Sequence, residues 1–295
     1  ISKSLKKKIY LISNFNLISD QSKKLNYSLK ISKVKDINDK KNEYSLKILD
    51  VNLKYKNPFD VPFKESSKFV NRSLDIAHKL SIDKNVLGLI NCPVNKKLLL
   101  KKNFGVTEFL SKKCKVKNNS EVMLIRNKKF AVSPITTHID IKYVSKNLKS
   151  KIIINKILTI HKFYRKFLKK IPKIGILGLN PHNAEMEKNS EEKKIIIPSI
   201  LSLKKRGINL IGPLVSDTLF IEDFKKYDVI VGMYHDQVLT PLKTLFEYNA
   251  INITLGLPFI RVSPDHGPNE KMIGKNISDP LSLIRAIEFL DKKID

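Results

Sequence analysis

Short apolar runs rich in β-branched residues recur along this chain and alternate with stretches of helical periodicity. Such runs are typical of buried strands, and Val70, Leu74 and Ala77 share one face of a predicted helix between two of them. Strands that alternate with helices predict an α/β protein with a largely parallel core sheet. The predicted strands are Ile9 to Ser13, Val86 to Ile90, Val122 to Ile125, Phe130 to Ile135, Ile174 to Leu179, Val229 to Met233 and Ile251 to Leu255.

A helix is also predicted near the C-terminus, where Leu283, Ile287 and Leu290 repeat on one face. Asp279 is a suitable N-cap for it, with Pro280 in the first helical position. With 295 residues the chain is long enough for two domains, each with its own core.

Two further features concern the connections. The polar stretch from Ser22 to Asn42 is interpreted as a variable surface region. The chain has only 10 glycines, and several fall where a Cβ atom would be awkward, so we predict close backbone approach or a positive φ there. These glycines are Gly178, Gly212, Gly256, Gly267 and Gly274.

The formal net charge of +28 would by itself favour a polyanionic partner such as nucleic acid. Only six of the 56 basic residues are arginines, however, and the lysines are scattered, whereas phosphate-clamping surfaces favour the planar guanidinium group. We therefore predict a solvated lysine-rich surface and no nucleic-acid partner, although nucleic-acid binding stays the alternative that composition suggests. A phosphate-bearing substrate would still be attracted.

No apolar run approaches the length that crosses a bilayer, and the run from Ile9 to Ile12 is too short for the core of a signal peptide. Cys92 and Cys114 lie far apart and outside any CxxC pattern, which argues against a disulfide framework and a thiolate metal site. We expect a soluble, cytoplasmic protein with no membrane partner.

Three of the six histidines, His138, His182 and His235, each follow a predicted strand. Neutral imidazoles at the ends of buried strands could bind a divalent metal and leave a coordination position for substrate. Because their spacing matches no HxxxH-type signature, histidines that merely cap turns remain the alternative. His78 and His161 lie in helical, lysine-rich stretches and are expected to be ordinary surface or interfacial residues.

Lys243, Asn252 and Arg261 supply an ammonium group, an amide and a guanidinium group within a short stretch. Together they could hold a substrate that carries a phosphate and a carboxylate. The alternative is surface charge for Lys243 and turn capping for Asn252. No GxGxxG fingerprint is present, so a Rossmann nucleotide site is not predicted.

Several segments in one order closely resemble the 4-hydroxythreonine-4-phosphate dehydrogenases of pyridoxal phosphate synthesis. The segments are Gly178-Leu-Asn-Pro-His182, Gly212-Pro-Leu-Val-Ser-Asp-Thr-Leu-Phe220, Met233-Tyr-His-Asp-Gln237, Asn252-Ile-Thr-Leu-Gly-Leu-Pro-Phe-Ile-Arg261 and Asp265-His266-Gly267. The resemblance implies an α/β fold with two domains, like isocitrate and isopropylmalate dehydrogenases, and an active site in the cleft between them. The first domain would comprise residues 1–105 and 257–295, and the second, residues 106–256, would carry the histidines.

The resemblance also implies a homodimer whose active sites are shared across the interface, with the histidine matching His235 supplied by the partner subunit. The implied metal ligands are His138, His182 and His235. The positions that match substrate-binding residues are Thr107, Lys243, Asn252 and Arg261. The segment that approaches the nicotinamide cofactor contains His266 and Gly267.

The implied reaction is the NAD- or NADP-dependent oxidation of 4-phosphooxy-L-threonine to 2-amino-3-oxo-4-phosphooxybutanoate, which decarboxylates to 3-amino-2-oxopropyl phosphate. A divalent metal is required, with zinc favoured over magnesium or cobalt. Lys243 and Arg261 would hold the phosphate and carboxylate groups and place C3 against the nicotinamide ring. Asp236 is a candidate either for accepting a proton or for orienting a metal ligand.

Three departures from the family pattern bear on substrate choice. Val106 stands where the family has a substrate-contacting histidine, and the segment from Asn183 to Ser190 replaces a glycine-rich loop. The chain begins at Ile1 without the family's opening segment, so it is expected to be a fragment or an incomplete gene product. The alternatives are a dehydrogenase of another four-carbon acid phosphate, such as threonate or erythronate 4-phosphate, and a member without turnover.

Overall fold

The computed structural model describes residues 5, 7–39, 45–83, 86–99, 105–116, 121–221 and 223–292. Its helices are α1 (Phe15–Lys24), α2 (Phe63–Ile82), α3 (Val106–Lys113), α4 (Val144–Asn147), α5 (Ser150–Phe167), α6 (Ile197–Lys205), α7 (Ser216–Leu219), α8 (His235–Phe246) and α9 (Leu281–Lys292). Within the described ranges, no helix combines the length and apolar character that a membrane span requires.

The strands form two sheets. They are β1 (Tyr10–Ser13), β2 (Ile31–Val34), β3 (Leu46–Asp50), β4 (Gly88–Ile90), β5 (Val122–Arg126), β6 (Ala131–Pro134), β7 (Ile174–Leu177), β8 (Leu210–Leu214), β9 (Val229–Gly232), β10 (Ile251–Leu255) and β11 (Ile260–Pro264). The smaller sheet is parallel, in the order β1-β3-β2. The larger has eight strands in the order β4-β11-β10-β5-β6-β9-β7-β8.

The larger sheet is mixed, so the prediction of a largely parallel core sheet was wrong for its centre. The strands β6, β9, β7 and β8 run parallel, but β10 and β5 are antiparallel to their neighbours. Only residues 127–130 connect β5 to β6. Because a parallel crossover needs a dozen or more residues, a connection this short can join only antiparallel strands.

Both faces of the large sheet are covered, which explains why its strands read as apolar runs without alternation. Along β9, Val229 and Val231 pack into a core cluster with α5, α6 and α9, whereas Ile230 packs into a second cluster with α7 and α8. Parallel strands buried in this way have their carboxyl ends along the same edge of the sheet, the edge that the strand ends form. The three predicted metal-ligand histidines follow β6, β7 and β9 at that edge.

Each predicted strand has a counterpart, with ends that differ by up to two residues. Four strands were missed, namely β2, β3, β8 and β11. The stretch Ser22–Asn42 is mostly exposed over residues 22–39, as interpreted, but it also contains the unpredicted strand β2 at the edge of the small sheet; residues 40–42 lie outside the described residues. Only two residues of β2 are buried, and an edge strand needs little apolar character.

The two predicted helices are present as α2 and α9. Leu74 and Ala77 are buried on α2, as their spacing predicts. At the start of α9 the side chain of Asp279 accepts a hydrogen bond from the Leu281 amide at 2.8 Å, which confirms its capping role. The predicted face of this helix is confirmed at Leu290, but Leu283 and Ile287 are only partly buried, and the buried face is centred on Ala286 and Phe289.

The large sheet contains strands from both predicted domains. Strands β4 and β11 belong to the first, and β11 pairs directly with β10 of the second. The hydrogen-bonded ladder is therefore continuous across the predicted boundary near residues 256 and 257. The boundaries themselves stay a prediction.

Four of the five glycine predictions are confirmed. A Cβ on Gly178 would lie 2.0 Å from Asn183 Oδ1, and one on Gly212 would lie 2.4 Å from the Ile176 carbonyl oxygen. Gly256 and Gly274 have φ values of 92° and 71°. The fifth, for Gly267, was wrong, since no atom lies within 4 Å of its Cβ position and its φ is not positive.

We predict that Gly212→Ala will lower the free energy of unfolding by about 2–3 kcal/mol, because a backbone oxygen of the neighbouring strand cannot move aside as a side chain can. Gly267→Ala is the matched control and should leave stability unchanged. Urea unfolding followed by circular dichroism measures both. Equal midpoints for the two variants would contradict the close approach at Gly212.

Candidate active site

His138 and His235 are brought together by the parallel pairing of β6 with β9. The pairing continues beyond both strands, where the Thr136 amide and hydroxyl donate to the Met233 carbonyl oxygen at 3.1 and 2.7 Å. Each histidine lies two residues after its member of this pair. Their ring centroids are 5.8 Å apart and the ring planes are inclined by 39°.

The surroundings of His138 favour the neutral imidazole. Partial burial of the ring lowers the pKa of His138, Lys96 and His235 lower it further, and Glu108 opposes them. A neutral imidazole is the form that binds metals. His138 itself has a φ of 47°, so its turn is left-handed and directs the ring away from the path of a continuing strand.

His235 is the first residue of α8, and its Nδ1 lies 2.7 Å from Asp236 Oδ1. This contact leaves Nε2 of His235 available to bind a metal ion. Because residues eight apart lie on one side of a helix, Lys243 shares the face of His235 two turns later. One helix therefore presents an imidazole and an ammonium group to the same region.

Lys243 is held by the segment that follows β11. Its Nζ donates to the Asp265 carbonyl oxygen at 2.5 Å and lies 2.6 Å from Asp265 Oδ2. Burial raises the pKa of Asp265, and the adjacent Lys243 opposes that rise. The Asp265 amide in turn donates to Ser282 Oγ on α9 at 2.9 Å. The ammonium group is thus positioned before any substrate arrives.

Arg261 lies where three parts of the chain meet, and it is only 4% exposed. Its Nε donates to Asn91 Oδ1 at 2.6 Å, and its Nη1 donates to Thr254 Oγ1 at 2.7 Å and Thr107 Oγ1 at 3.2 Å. Burial lowers the pKa of Arg261 to about 10, and Glu108 opposes this. The guanidinium group stays charged at neutral pH.

Asn252 lies on the same face of the sheet as Arg261. In the β10–β11 register Thr254 is opposite Arg261 and Asn252 is opposite Ser263, two residues along, so the side chains share a face. The Asn252 Oδ1 atom is buried and, among the described residues, has no hydrogen-bond partner. An orphaned polar atom of this kind is expected where a ligand completes the site.

His266 and Gly267 form an exposed turn directly after Asp265. The ring of His266 contacts that of Tyr248 edge-on, with centroids 6.1 Å apart, and its Nδ1 lies 3.0 Å from the Gly267 carbonyl oxygen. The space around Gly267 is open, so a flat ring could approach the backbone there.

His182 stands apart from the other two histidines. Its ring lies next to two carboxylates, with Nε2 3.7 Å from Asp217 Oδ2 and Nδ1 3.5 Å from Glu185 Oε1. Among the described residues of one chain, no three histidine, cysteine or acidic side chains are grouped to hold a metal. The structure therefore pairs His138 with His235 and leaves His182 outside that pair. His78 and His161 are half-buried on α2 and α5.

The model of the family described as "Pyridoxal phosphate biosynthetic protein PdxA" matches residues 5–290 of the chain. The chain belongs to this family. A 4-hydroxythreonine-4-phosphate dehydrogenase from Sulfurihydrogenibium sp. is 39% identical over 291 residues, which cover 95% of this chain and 87% of that protein. An Oceanobacillus iheyensis protein named "Putative D-threonate 4-phosphate dehydrogenase" is 34% identical over 248 residues, 82% of this chain and 73% of that protein.

A solved structure of the 4-hydroxythreonine-4-phosphate dehydrogenase from Klebsiella pneumoniae has a TM-score of 0.84 to this chain at 25% identity, covering 98% of this chain and 93% of that one. The predicted family and its two-domain α/β fold are confirmed by these likenesses. As a member of the PdxA family the protein is a dehydrogenase.

Val106, which stands in place of the histidine expected in the PdxA family, turns into the interior. It packs with Leu74, Leu110 and Phe259 in a small core cluster. The side chain of the neighbouring Thr107 accepts a hydrogen bond from Arg261 Nη1 at 3.2 Å. The helix N-terminus therefore keeps its threonine toward the site and contributes no imidazole to it.

The turn after His182, where the PdxA family has a glycine-rich loop, is left-handed. Residues 182–186 all have φ values between 44° and 58° although none is glycine. An L-residue in this conformation brings Cβ close to the following carbonyl oxygen and costs roughly 1–2 kcal/mol. The non-glycine residues of this turn therefore hold local backbone strain.

Glu192, which the sequence analysis missed, fixes the strand end that carries this turn. It is fully buried, and its Oε1 accepts from the Leu179 and Asn180 amides at 2.7 and 2.9 Å. The adjacent Glu191 accepts from Asn180 Nδ2 at 2.9 Å and from Ser145 Oγ, which lies in the segment after His138. These carboxylates link the segments that bear two of the histidines.

Gln237 makes a second link of this kind. Its Nε2 donates to the Gly178 carbonyl oxygen at 2.7 Å and to Ser216 Oγ at 2.8 Å, while its Oε1 accepts from the Met233 amide at 2.7 Å. It thus joins the ends of β7 and β9. The signal for Gln237 was its place in the Met233–Gln237 motif, whereas no sequence pattern distinguished Glu192 or Lys96.

We predict that Glu185→Gly will raise the free energy of unfolding by about 1 kcal/mol, because glycine adopts a positive φ without steric cost. Glu187→Gly is the matched control: Glu187 is also exposed but has a φ of −55°, so its replacement should be neutral or destabilising. Differential scanning calorimetry compares the two. Stabilisation by both variants, or by neither, would contradict the left-handed turn.

A second prediction concerns Glu192. Burial favours a raised pKa for this carboxyl, but the hydrogen bonds from Asn180 and Leu179 outweigh it, and the pKa of Glu192 is lowered from 4.5. Glu192→Gln should therefore cost about 2–3 kcal/mol at neutral pH. Because the folded pKa lies below the unfolded one, the wild-type advantage is complete above pH 4.5 and disappears as the pH falls through the folded value.

Glu187→Gln, at an exposed carboxylate, is the control for this measurement. Guanidinium unfolding curves at several pH values should show a stability difference for Glu192→Gln that shrinks on acidification. A difference that is constant with pH would mean that the lost contact is steric rather than ionic.

Proposed function

We propose that the protein is a cytoplasmic, homodimeric 4-hydroxythreonine-4-phosphate dehydrogenase that uses a divalent metal and NAD or NADP. Its substrate would be 4-phosphooxy-L-threonine, oxidised at C3 to 2-amino-3-oxo-4-phosphooxybutanoate, which loses carbon dioxide to give 3-amino-2-oxopropyl phosphate. The observation that carries the proposal is the His138–His235 pair, whose ring centroids are 5.8 Å apart, in a chain that belongs to the PdxA family.

The two imidazoles fit a metal that accepts nitrogen ligands, so zinc is proposed first and cobalt second, whereas magnesium prefers oxygen ligands and fits them less well. His138 and His235 would hold it, since their rings are close and the pKa of His138 is lowered. When bound, the metal would lower the pKa of the substrate's C3 hydroxyl and stabilise the negative charge that develops as carbon dioxide leaves.

His182 is the third metal ligand in this proposal, and we assign it to the partner subunit. Within one chain its neighbours are Asp217 and Glu185 rather than His138 or His235. This division differs from the sequence-based expectation that the partner supplies His235. A dimer would then contain two sites, each with two histidines from one subunit and His182 of the partner subunit.

The substrate would be held by the groups that meet around Arg261. The Arg261 guanidinium and the Lys243 ammonium groups are charged partners for a carboxylate and a phosphate. Asn252 has a free, buried acceptor for the substrate's amino group, and Thr107 lies beside Arg261. Because Asn91, Thr254 and Asp265 already fix these cations, little side-chain entropy is lost on binding.

Of the two roles considered for Asp236, the 2.7 Å contact with His235 Nδ1 supports orientation of that imidazole. NAD or NADP would accept the hydride from C3. His266 and Gly267 would border its nicotinamide ring, because this exposed turn follows Asp265, the partner of Lys243. Lys243 would thereby connect the substrate end of the cleft to the cofactor end.

The proposal predicts NADH or NADPH formation from 4-phosphooxy-L-threonine in the presence of zinc, followed at 340 nm, with loss of at least a hundredfold in kcat/KM for Lys243→Met. Lys225→Met, at an exposed lysine on the Asp223–Lys226 turn, is the control and should keep full activity. Absence of turnover with every metal tested would contradict the proposed activity and indicate a family member without catalytic function.

D-threonate 4-phosphate is the second candidate substrate, because the Oceanobacillus iheyensis relative is named for it and Val106 leaves the site without the family's histidine. The ratio of kcat/KM values on the two substrates decides between them. A higher value for threonate 4-phosphate would replace the proposed substrate while retaining the reaction type.

Shared sites predict that two inactive variants can restore activity when mixed as subunits. Refolded mixtures of His138→Ala and His182→Ala should regain about a quarter of wild-type activity, since half of the dimers are mixed and each contains one intact site. His138→Ala with His235→Ala should remain inactive, because both residues lie in the same half-site. Restoration by the second pair and not the first would instead assign His235 to the partner.

A further inference from the structure

A cavity of about 250 Å³ lies at the opposite edge of the eight-stranded sheet from the histidines. Its walls are the connection between β5 and β6, the start of β10 and the last turns of α9. A second cavity of about 150 Å³ adjoins it beside the residues that precede β9 and the end of α5. Arg126 and Lys128 line both.

The combined lining is strongly basic. Six cationic side chains face two carboxylates, Glu288 and Asp228. The cations are Arg126, Lys128, Lys129, Lys170, Arg285 and Lys292. Glu288 is 2.8 Å from Arg285 Nη1, and Asp228 is 2.5 Å from Lys170. The two acidic groups are thereby occupied, and the cavity keeps an excess of positive charge.

Arg126 lies between the two cavities and has an unsatisfied hydrogen-bond donor. Its Nε is buried and has no hydrogen-bond partner among the described residues, and no carboxylate of that part of the chain forms an ion pair with it. Its Nη1 donates to the adjacent Asn127 carbonyl oxygen at 3.0 Å, and the guanidinium group also interacts with the Tyr164 hydroxyl, so Nε is the donor left without a partner. A buried N–H group of a charged side chain without an acceptor is costly, which a bound anion would relieve.

The rest of the cavity is shaped for a small organic group. The Arg126 guanidinium lies 5.9 Å from the centroid of the Phe289 ring, and Ile251 adds to the apolar wall. The planar guanidinium group matches the geometry of a phosphate group. The volume is below that of most drug-sized pockets, so the ligand is small.

We propose that this cavity is a second anion site, which binds a phosphate-bearing small molecule with its phosphate on Arg126 and its remaining atoms against Phe289. The site is separate from the catalytic cleft, because the length of a strand, roughly 13 Å, lies between the edges that carry them. It does not depend on the function proposed above.

Calorimetric titration of the full chain with inorganic pyrophosphate, and with inorganic phosphate, tests the site. Since the cleft also attracts phosphate, the titration is made in wild type, Arg126→Gln, Lys243→Gln and the double variant. Arg126→Gln should weaken one binding event at least tenfold and leave the Lys243-dependent event, and the double variant should lose both. Arg206→Gln, at an exposed arginine after α6, is the control of equal charge change.

Lys128→Gln supplies a second variant, in case Arg126→Gln does not fold. The Lys128 side chain is exposed and lines both cavities. A threefold or greater loss of affinity there, with none in Arg206→Gln, supports the site. Equal weakening by Arg206→Gln would reduce the effect to general surface charge and overturn the proposal. It is overturned equally if only the Lys243-dependent event is ever seen.

Discussion

The parallel pairing of β6 with β9 is the interaction on which the rest of the site depends. Main-chain hydrogen bonds carry this ladder past the ends of both strands to Thr136 and Met233, and the two histidines follow at equal distances. Their proximity is therefore set by backbone register, which a change of a surface side chain does not disturb. The apolar faces of β9, packed on both sides, keep that register, since a slip of one residue would reverse every side chain.

Buried ionic groups act as fixed points around this pair. Glu192 holds the end of β7 through two amides, and Arg261 joins α3, β10 and the segment after β4. Each is expensive to remove from water, so each is retained only with its hydrogen bonds complete. Arg261 in particular joins parts of the chain more than 150 residues apart, so the proposed substrate site and the fold depend on the same contacts.

Much of this could be predicted from the sequence. Apolar runs identified seven strands, and three histidines were correctly placed after β6, β7 and β9, at the end of the sheet where the candidate site lies. The antiparallel centre of the large sheet was missed because the prediction rested on the alternation of strands with helices. It did not consider that the four-residue connection after Arg126 is too short to join parallel strands. Glu192 and the left-handed turn at His182 could not be predicted, since their roles arise from amides and φ angles that residue type does not encode.

The continuity of the large sheet also limits how the cleft can move. Strand β11 is hydrogen-bonded to β10 on one side and to β4 on the other, so the large sheet runs continuously through both predicted domains. Opening by rotation about a flexible linker would break those bonds, whereas a change in the twist of the sheet would not. Movement of one domain against the other would therefore take the form of elastic bending of a shared sheet, and Arg261 on β11 would move together with Asn252 and Thr254 on β10.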